Sequence, residues 1–565
     1  MTKTTTYDPI TIKIIQSSLK AITDEMFATM RKTAMSSIIY EVLDFGVALT
    51  DAQGNLASSG NGIPGFIGML EPGIKTVIKK FGPRHEIRDG DIFIANIPHY
   101  GGVSHLNDVV LILPVFADED IIGWLANKAH WTDIGGAFPG SISPEAVEIY
   151  QEGIQLPTVK VIEGGEPNHA VLDIIRMNSR LPETTMGDFW AGVASMRAGE
   201  KRFSGLVGKY GKDTVLHAIN DYIALGEEIS RRVLKTLPKG EFSASEVLDD
   251  GRTIKVVITI KQDEFLVDLR GNPEQSKSAF NTSYEATVVD AKMIFKAVTS
   301  PSSFANAGTF RPLRVLVDKG SMFAAQYPSA MSVYYEVGIL LFDLLWKALA
   351  PALGDYLPAG HYASICGTFI GGPHPETGKP HSIVEPQLGG WGASRDGDGI
   401  NALYTGHHGD TFNCPVEITE QRNGLLIDRF CLTEEPGGEG EFIGGKGINL
   451  DYRILRDDWW ITVYYVRSEN GPWGLDGGLD GTTNYIRIVR TDGREERYRS
   501  CTALPLGRGD VIKIVTATGG GYGNPRRRPR QKIIEDLKNS YISAERAQQI
   551  YGIKDTQYDC QRRSA

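Results

Sequence analysis

The chain has 565 residues, 41% hydrophobic and 23% charged, an ordinary composition for a globular protein of two to four lobes, with no sign of disorder. Its 59 Lys and Arg against 69 Asp and Glu give a formal net charge of −10, which argues against a nucleic-acid surface built on clustered cations. Five cysteines without Cys-x-x-Cys spacing indicate neither a disulfide framework nor a thiolate zinc site, and they fit reduced thiols in a cytoplasm.

The first residues lack the apolar core of a signal peptide. Asp8-Pro9 reads as an N-cap with proline at the first helical position. Ile12, Ile15, Leu19, Ile22, Met26 and Met30 then recur at helical intervals, predicting one long amphipathic helix that covers a sheet. Asp44 opens a strand, turn and strand signature over 44–56, and a short helix is expected near 71–81. Residues 109–116, the polar turn 117–120 and residues 121–126 write a β-hairpin. With Phe116 paired to Ile121, an unbroken ladder puts Asp108 opposite Ala129 and His130 one step further on. A slip of one residue turns each side chain to the other face.

Residues 185–237 read as helical, with Val215, Ile219, Ile223, Ile229 and Val233 on one face. A second hairpin follows over 253–269, then helices near 285–298 and 332–349. The last of these is the most apolar stretch, but Asp343 and Lys347 interrupt it and it falls short of the ~20 residues a membrane span needs. Beyond Leu353 the chain is glycine-rich with short strands. The basic run Arg526-Arg-Arg-Pro-Arg530 reads as a solvated lead into two short helices over 533–551, broken at 540–543. The expected fold class is α+β: a lobe over 1–184, a helical and hairpin region over 185–350, a glycine-rich β region over 351–525 and a helical tail over 526–565.

The residues most suggestive of chemistry are His105 and Asp108, in Gly101-Gly-Val-Ser-His-Leu-Asn-Asp108, and His130, in Lys128-Ala-His-Trp-Thr-Asp-Ile-Gly-Gly136. Asp44, also at a strand end, is a candidate fourth. Two imidazoles and two carboxylates suit one divalent ion, zinc foremost, with manganese or iron(II) as the others. Spacing alone equally allows loop caps and an edge histidine. Asp133, three residues past His130, stands where a carboxylate would orient an imidazole or take a proton. Gly440-Glu-Phe-Ile-Gly-Gly-Lys-Gly447 lacks the Ser or Thr of a phosphate loop. Gly519-Gly-Gly-Tyr-Gly523 is expected to be a tight turn needing positive φ or close backbone approach.

Gly101-Gly-Val-Ser-His-Leu-Asn-Asp-Val109 and Ala129-His-Trp-Thr-Asp-Ile-Gly-Gly136, together with Glu148-Ile-Tyr-Gln-Glu-Gly153, Asn178-Ser-Arg-Leu-Pro-Glu183 and Gly519-Gly-Gly-Tyr-Gly-Asn-Pro525, resemble the signature segments of the hydantoinase B/oxoprolinase family. The resemblance implies one subunit of an ATP-dependent enzyme that opens hydantoins, oxoproline or lactams, with Asp44, His105, Asp108 and His130 as metal ligands. It also implies that ATP binds to a separate hydantoinase A type subunit, in an α2β2 hetero-oligomer with a small cyclic amide as substrate. Glu152 enters as a candidate base with its motif. Ser104-His-Leu-Asn-Asp108 departs from the usual Thr-His-Leu-Pro-Asp while keeping the ligands. Gly62-Ile-Pro-Gly-Phe-Ile-Gly-Met69 carries no ionisable group where many members have a histidine, and Gly187-Asp-Phe-Trp-Ala-Gly192 replaces a more polar stretch; both bear on the substrate. The rival readings are an ATP-dependent ketone carboxylase, whose version of this subunit is usually longer, and a metal-stabilised scaffold for the ATPase subunit.

Overall fold

The computed structural model of the protein describes residues 7–553 other than 355, 375 and 410. Asp8 caps α1 (Pro9–Thr33) by accepting from the Ile10 and Thr11 amides, while Arg31 and Lys32 complement the dipole at the far end. A short turn, α2 (Ser37–Tyr40), leads into β1 (Phe45–Thr50), β2 (Leu56–Gly62), α3 (Pro64–Phe81), β3 (Ile92–Ala95), β4 (Asp108–Ala117), β5 (Asp120–His130), β6 (Val159–Glu163) and β7 (Glu166–Pro167). These seven strands form one antiparallel sheet in the order β2-β1-β5-β4-β3-β6-β7.

Both faces of that sheet are covered, which is why β4 reads as a continuous apolar run. Val109, Leu111 and Leu113 join the main core, to which the α1 stripe belongs. Val110 and Ile112 pack with Leu70, Ile74 and Val77 of α3 on the opposite face. A Cβ at Gly60 would come within 2.7 Å of the Thr23 carbonyl, so its absence lets α1 lie directly on β2.

Two differences from the sequence expectation concern this lobe. The hairpin pairs Phe116 with Ile121, but a bulge leaves Ile122 unpaired, so Val115 meets Gly123 and Asp108 stands opposite His130 instead of Ala129. Ile122 is buried in the main core, which rewards the extra residue. α3 also starts seven residues earlier than expected. Its glycines and Pro72 read as helix breakers, yet Gly73 allows contact with the 101–102 loop: a Cβ there would lie 3.2 Å from Gly102 Cα.

α4 (His169–Asn178), α5 (Pro182–Tyr210) and α6 (Lys212–Leu234) follow, and α5 runs along α1 and over β4 and β5. β8 (Gly240–Val247), β9 (Thr253–Ile260), β10 (Phe265–Asp268), α7 (Tyr284–Thr299), β11 (Leu313–Leu316) and α8 (Tyr334–Leu349) come next. The 253–269 hairpin becomes part of a four-stranded sheet, β11-β10-β9-β8, in which β11 runs parallel to β10. α8 is buried along nearly its whole length against α7, β8 and β9. Among the described residues no helix is long and apolar enough to cross a membrane.

The glycine-rich region holds β12 (Thr368–Pro373), β13 (Pro380–Glu385), α9 (Val416–Asn423), β14 (Leu425–Leu432), β15 (Ile448–Ile454), β16 (Trp459–Tyr464), β17 (Tyr485–Val489), β18 (Glu495–Tyr498), β19 (Ser500–Leu506) and β20 (Val511–Val515). They form two sheets, β13-β12-β16-β19 and β14-β15-β20-β17-β18, which share an apolar cluster. At Gly519, Gly520 and Gly521 close approach is the constraint, since a Cβ would run into the Trp391, Trp473 and Glu439 carbonyls, whereas Gly523 takes φ +71°. Lys446 is buried, donates to the Glu435 carbonyl at 2.7 Å and is followed by strand β15, a structural role unlike that of a phosphate-loop lysine. Last among the described residues come α10 (Arg530–Lys538) and α11 (Ala544–Tyr551), the two short helices expected; positions 554–565 of the expected helical tail lie outside the described residues.

Candidate metal centre

Four of the six residues singled out in the sequence meet at one end of the large sheet, on its α3 face. Asp108 opens β4 and His130 closes β5, directly opposite. β1 pairs with β5 through Phe45 and Ala129, which sets Asp44 beside His130; the His130 amide donates to the Asp44 carbonyl at 3.1 Å. His105 comes from the loop before β4. Its Nε2 lies 3.2 Å from Asp108 Oδ1, while His130 Nδ1 lies 3.6 Å from that oxygen and 3.9 Å from Asp44 Oδ2. His105, Asp108 and His130 each offer a ligating atom within 4.8 Å of the others, and all three are buried.

The hydrogen bonds around the cluster orient it. His105 Nδ1 is 3.0 Å from the Ser332 carbonyl, which can only accept, so the ring proton sits on Nδ1. In the neutral ring Nε2 then turns a lone pair toward Asp108 Oδ1, an arrangement that calls for a cation between them. Asp44 Oδ1, Asp108 Oδ1 and His130 Nε2 are buried without a hydrogen-bond partner among the described residues. Buried polar atoms are rarely left so, and Asp108 Oδ1, the one of them that faces His105 Nε2 and His130 Nδ1, fits a ligand of a divalent ion.

Lys128, on the same face of β5 as His130, places its ammonium 3.1 Å from Asp108 Oδ2 and 4.0 Å from the centroid of the Phe66 ring. Tyr334, at the start of α8, donates to the same Oδ2 at 3.3 Å. Burial alone would raise the Asp108 carboxyl, but His105 and Lys128 beside it hold it well below the usual range. Asp44 goes the other way: burial pushes it up to about 7, with His130 pulling down and Asp108 adding to the rise.

Neither Asp133 nor Glu152 lines the cavity beside the cluster. Asp133 accepts from the Gly135, Gly140 and Arg180 amides and pairs with the Arg180 guanidinium at 3.2 Å, which fixes the loop after His130. Glu152 is buried and accepts from the Met331 and Ser332 amides at 2.8 and 2.5 Å. It thereby holds the segment whose Ser332 carbonyl orients His105. Burial pushes its carboxyl up to about 8.

The cavity itself, about 40 Å³, has apolar walls from Ile38, Ile63, Phe66, Phe369 and Val384, and two further imidazoles, His407 and His408. His408 Nδ1 is 2.6 Å from the Thr411 hydroxyl, and burial, with the neighbouring His407 and His130, pushes it down to about 3. His407 Nε2 is 3.0 Å from Asp290 Oδ1. Sequence reasoning missed Lys128, Tyr334, Asp290, His407 and His408. Lys128 was legible as the residue two before His130 on the same strand, and the adjacent pair His407-His408 between glycines was a signal; Asp290 and Tyr334 gave none.

The sequence profile of the hydantoinase B/oxoprolinase family matches residues 8–525, and the chain belongs to that family. It is 31% identical to one subunit of a putative D-/L-hydantoinase of Pseudomonas sp. (strain NS671), over 97% of this chain and 95% of that one. It also resembles the crystal structure of ATP-dependent caprolactamase from Pseudomonas jessenii, with TM-score 0.92 and 28% identity, covering 99% of this chain and 100% of that chain. A nucleotide-free acetone carboxylase structure shares the fold at TM-score 0.89 and 19% identity, over 96% of this chain and 79% of that chain.

Proposed function

We propose that this chain is the metal-holding, hydrolytic subunit of an ATP-dependent cyclic amide hydrolase that opens a hydantoin, oxoproline or lactam ring. A hydantoinase A type subunit would bind ATP and phosphorylate the substrate, in an α2β2 complex. The observation that carries this reading is the buried set Asp44, His105, Asp108 and His130, in which Asp108 Oδ1 has no hydrogen-bond partner among the described residues while His105 Nε2 and His130 Nδ1 face it, beside an apolar-walled cavity. Relatives named as hydantoinase and caprolactamase subunits supply the reaction class.

An unstrained cyclic amide is a poor electrophile, and phosphorylation of its oxygen activates it. Asp44, His105, Asp108 and His130 would hold the ion, zinc foremost, which when bound lowers the pKa of water and polarises an electrophile. Lys128 and Tyr334 engage Asp108 Oδ2 and leave Oδ1 facing inward. The Ser332 carbonyl fixes the His105 tautomer with Nε2 inward, and Glu152 fixes Ser332. The Ile38, Ile63, Phe66, Phe369 and Val384 walls limit water to what the reaction uses, and they strengthen every charge interaction inside.

The test is copurification with the ATP-binding subunit, followed by ATP turnover against a panel of lactams, hydantoins and ketones. Ring opening of a cyclic amide coupled to ATP cleavage is the expected result. Turnover of ketones alone would contradict the reading.

A further inference from the structure

The cavity holds a second polar constellation that metal binding does not use. His407 follows Thr405-Gly406 in the loop after the glycine-rich 389–403 stretch, and Asp290 lies in the middle of α7, 117 residues away in the chain. Their side chains are buried and meet at 3.0 Å through Nε2 and Oδ1. His407 Nδ1 has no hydrogen-bond partner among the described residues, although the ring lines the same cavity as Asp44, His105 and His130.

The fold makes room for this ring by leaving out side chains. A Cβ at Gly65, in the first turn of α3, would sit 3.2 Å from His407 Cε1, and one at Gly338, in α8, would sit 3.1 Å from both His407 Nε2 and Asp290 Oδ2. Gly65 belongs to the 62–69 segment, which has no ionisable group of its own; His407 supplies one at that wall. Two helices thus pack closely against the imidazole, and Asp290 fixes its rotation.

Resting on the hydrolase reading above, we propose that His407 is the proton-transfer residue of the ring-opening reaction, acting through Nδ1, with Asp290 as its positioning residue. In an O-phosphorylated cyclic amide, a water oxygen forms the new bond to the ring carbon while the C=N π pair moves to nitrogen. One water proton passes to Nδ1 and from there to that nitrogen. The C–N bond then breaks with its pair on nitrogen, the remaining hydroxyl proton follows the same route, and a free amine and an acyl phosphate result, the latter being cleaved by a second water to carboxylate and phosphate. The imidazole ends neutral, as it began. Proton transfer by a positioned side chain contributes about 10²–10⁴-fold.

The experiment uses the complete complex with its ATP-binding subunit and a cyclic amide that the wild type opens. His407→Gln should keep normal metal content and substrate-dependent ATP cleavage while single-turnover ring opening falls about 10²–10⁴-fold. Asp290→Ala, which takes the acceptor away from Nε2–H and leaves the ring unpositioned, should lower kcat with KM unchanged. It provides the readout if His407→Gln does not fold. Ring opening within about twofold of wild type in His407→Gln, or an unchanged kcat in Asp290→Ala, would overturn the proposal. Loss of bound metal in His407→Gln would also overturn it, by making His407 a part of the metal site. A wild-type complex that opens no cyclic amide removes the hydrolase reading itself, and this proposal with it.

Discussion

Asp108 and His130 stand directly opposite each other at the end of the β4–β5 pair, and the bulge at Ile122 sets that register. On the same face and one pair further in, Val110 faces Lys128, whose ammonium reaches back to Asp108 Oδ2 at 3.1 Å. One carboxylate therefore meets a cation on one oxygen and two imidazoles on the other.

The purified protein should contain about one zinc, manganese or iron per chain, since a mixed imidazole and carboxylate set favours such ions over calcium. His105→Ala and His130→Ala should each lose most of it by elemental analysis. Removing the metal with a chelator should lower Tm, because a ligand that binds only the native state stabilises it by mass action. Full metal content in both alanine variants would show that other residues hold the ion.

Asp133→Ala should destabilise the protein by about 1–3 kcal/mol, since the Gly135, Gly140 and Arg180 amides would lose their acceptor. Denaturant unfolding measures this. Metal content should stay at the wild-type level, because Asp133 organises the loop and does not line the cavity. A variant of unchanged stability with ring opening abolished would instead mark Asp133 as the base.

Glu152 gives a pH prediction. Its carboxyl is raised from 4.5 to about 8 by burial, with the Ser332 and Met331 amides working against the rise. The unfolded chain releases that proton near its ordinary pKa and the folded chain holds it longer. The stability it contributes is therefore fully present below about pH 4.5 and is lost as pH rises toward about 8. Glu152→Gln should flatten the fall in Tm across that window. Parallel curves for variant and wild type would contradict the assignment.

By itself the chain should not hydrolyse ATP, because Lys446, the lysine of its phosphate-loop-like stretch, is committed to the Glu435 carbonyl. A phosphate-release assay on the isolated protein should give background rates. Activity should appear with an equimolar ATP-binding subunit.

Much of the first lobe was legible because its signals are local: the Asp8-Pro9 cap, the α1 stripe and the β4–β5 hairpin all depend on neighbours in sequence. The candidate ligand cluster was legible because three of its members flank that hairpin. The bulge was not, since Ile122 is one apolar residue in an apolar run and only the buried core distinguishes its place. α3 was read too short because Gly65, Gly68 and Gly73 serve packing while looking like breaks. The rest of the site was beyond reach: Tyr334 and His407, which line the cavity, and Asp290, which pairs with His407, come from three distant segments that only the tertiary fold brings together.

The central claim is that this site adds water to an activated ring carbon. It is tested most directly by running the reconstituted complex in isotope-labelled water and following the label into product by mass spectrometry. Solvent oxygen in the new carboxylate of a ring-opened product, lost together with bound metal in Asp108→Asn while substrate-dependent phosphorylation by the partner persists, is the predicted result. Formation of a 3-oxo acid from a ketone that depends on bicarbonate and carries its carbon, with no cyclic amide opened, would contradict it.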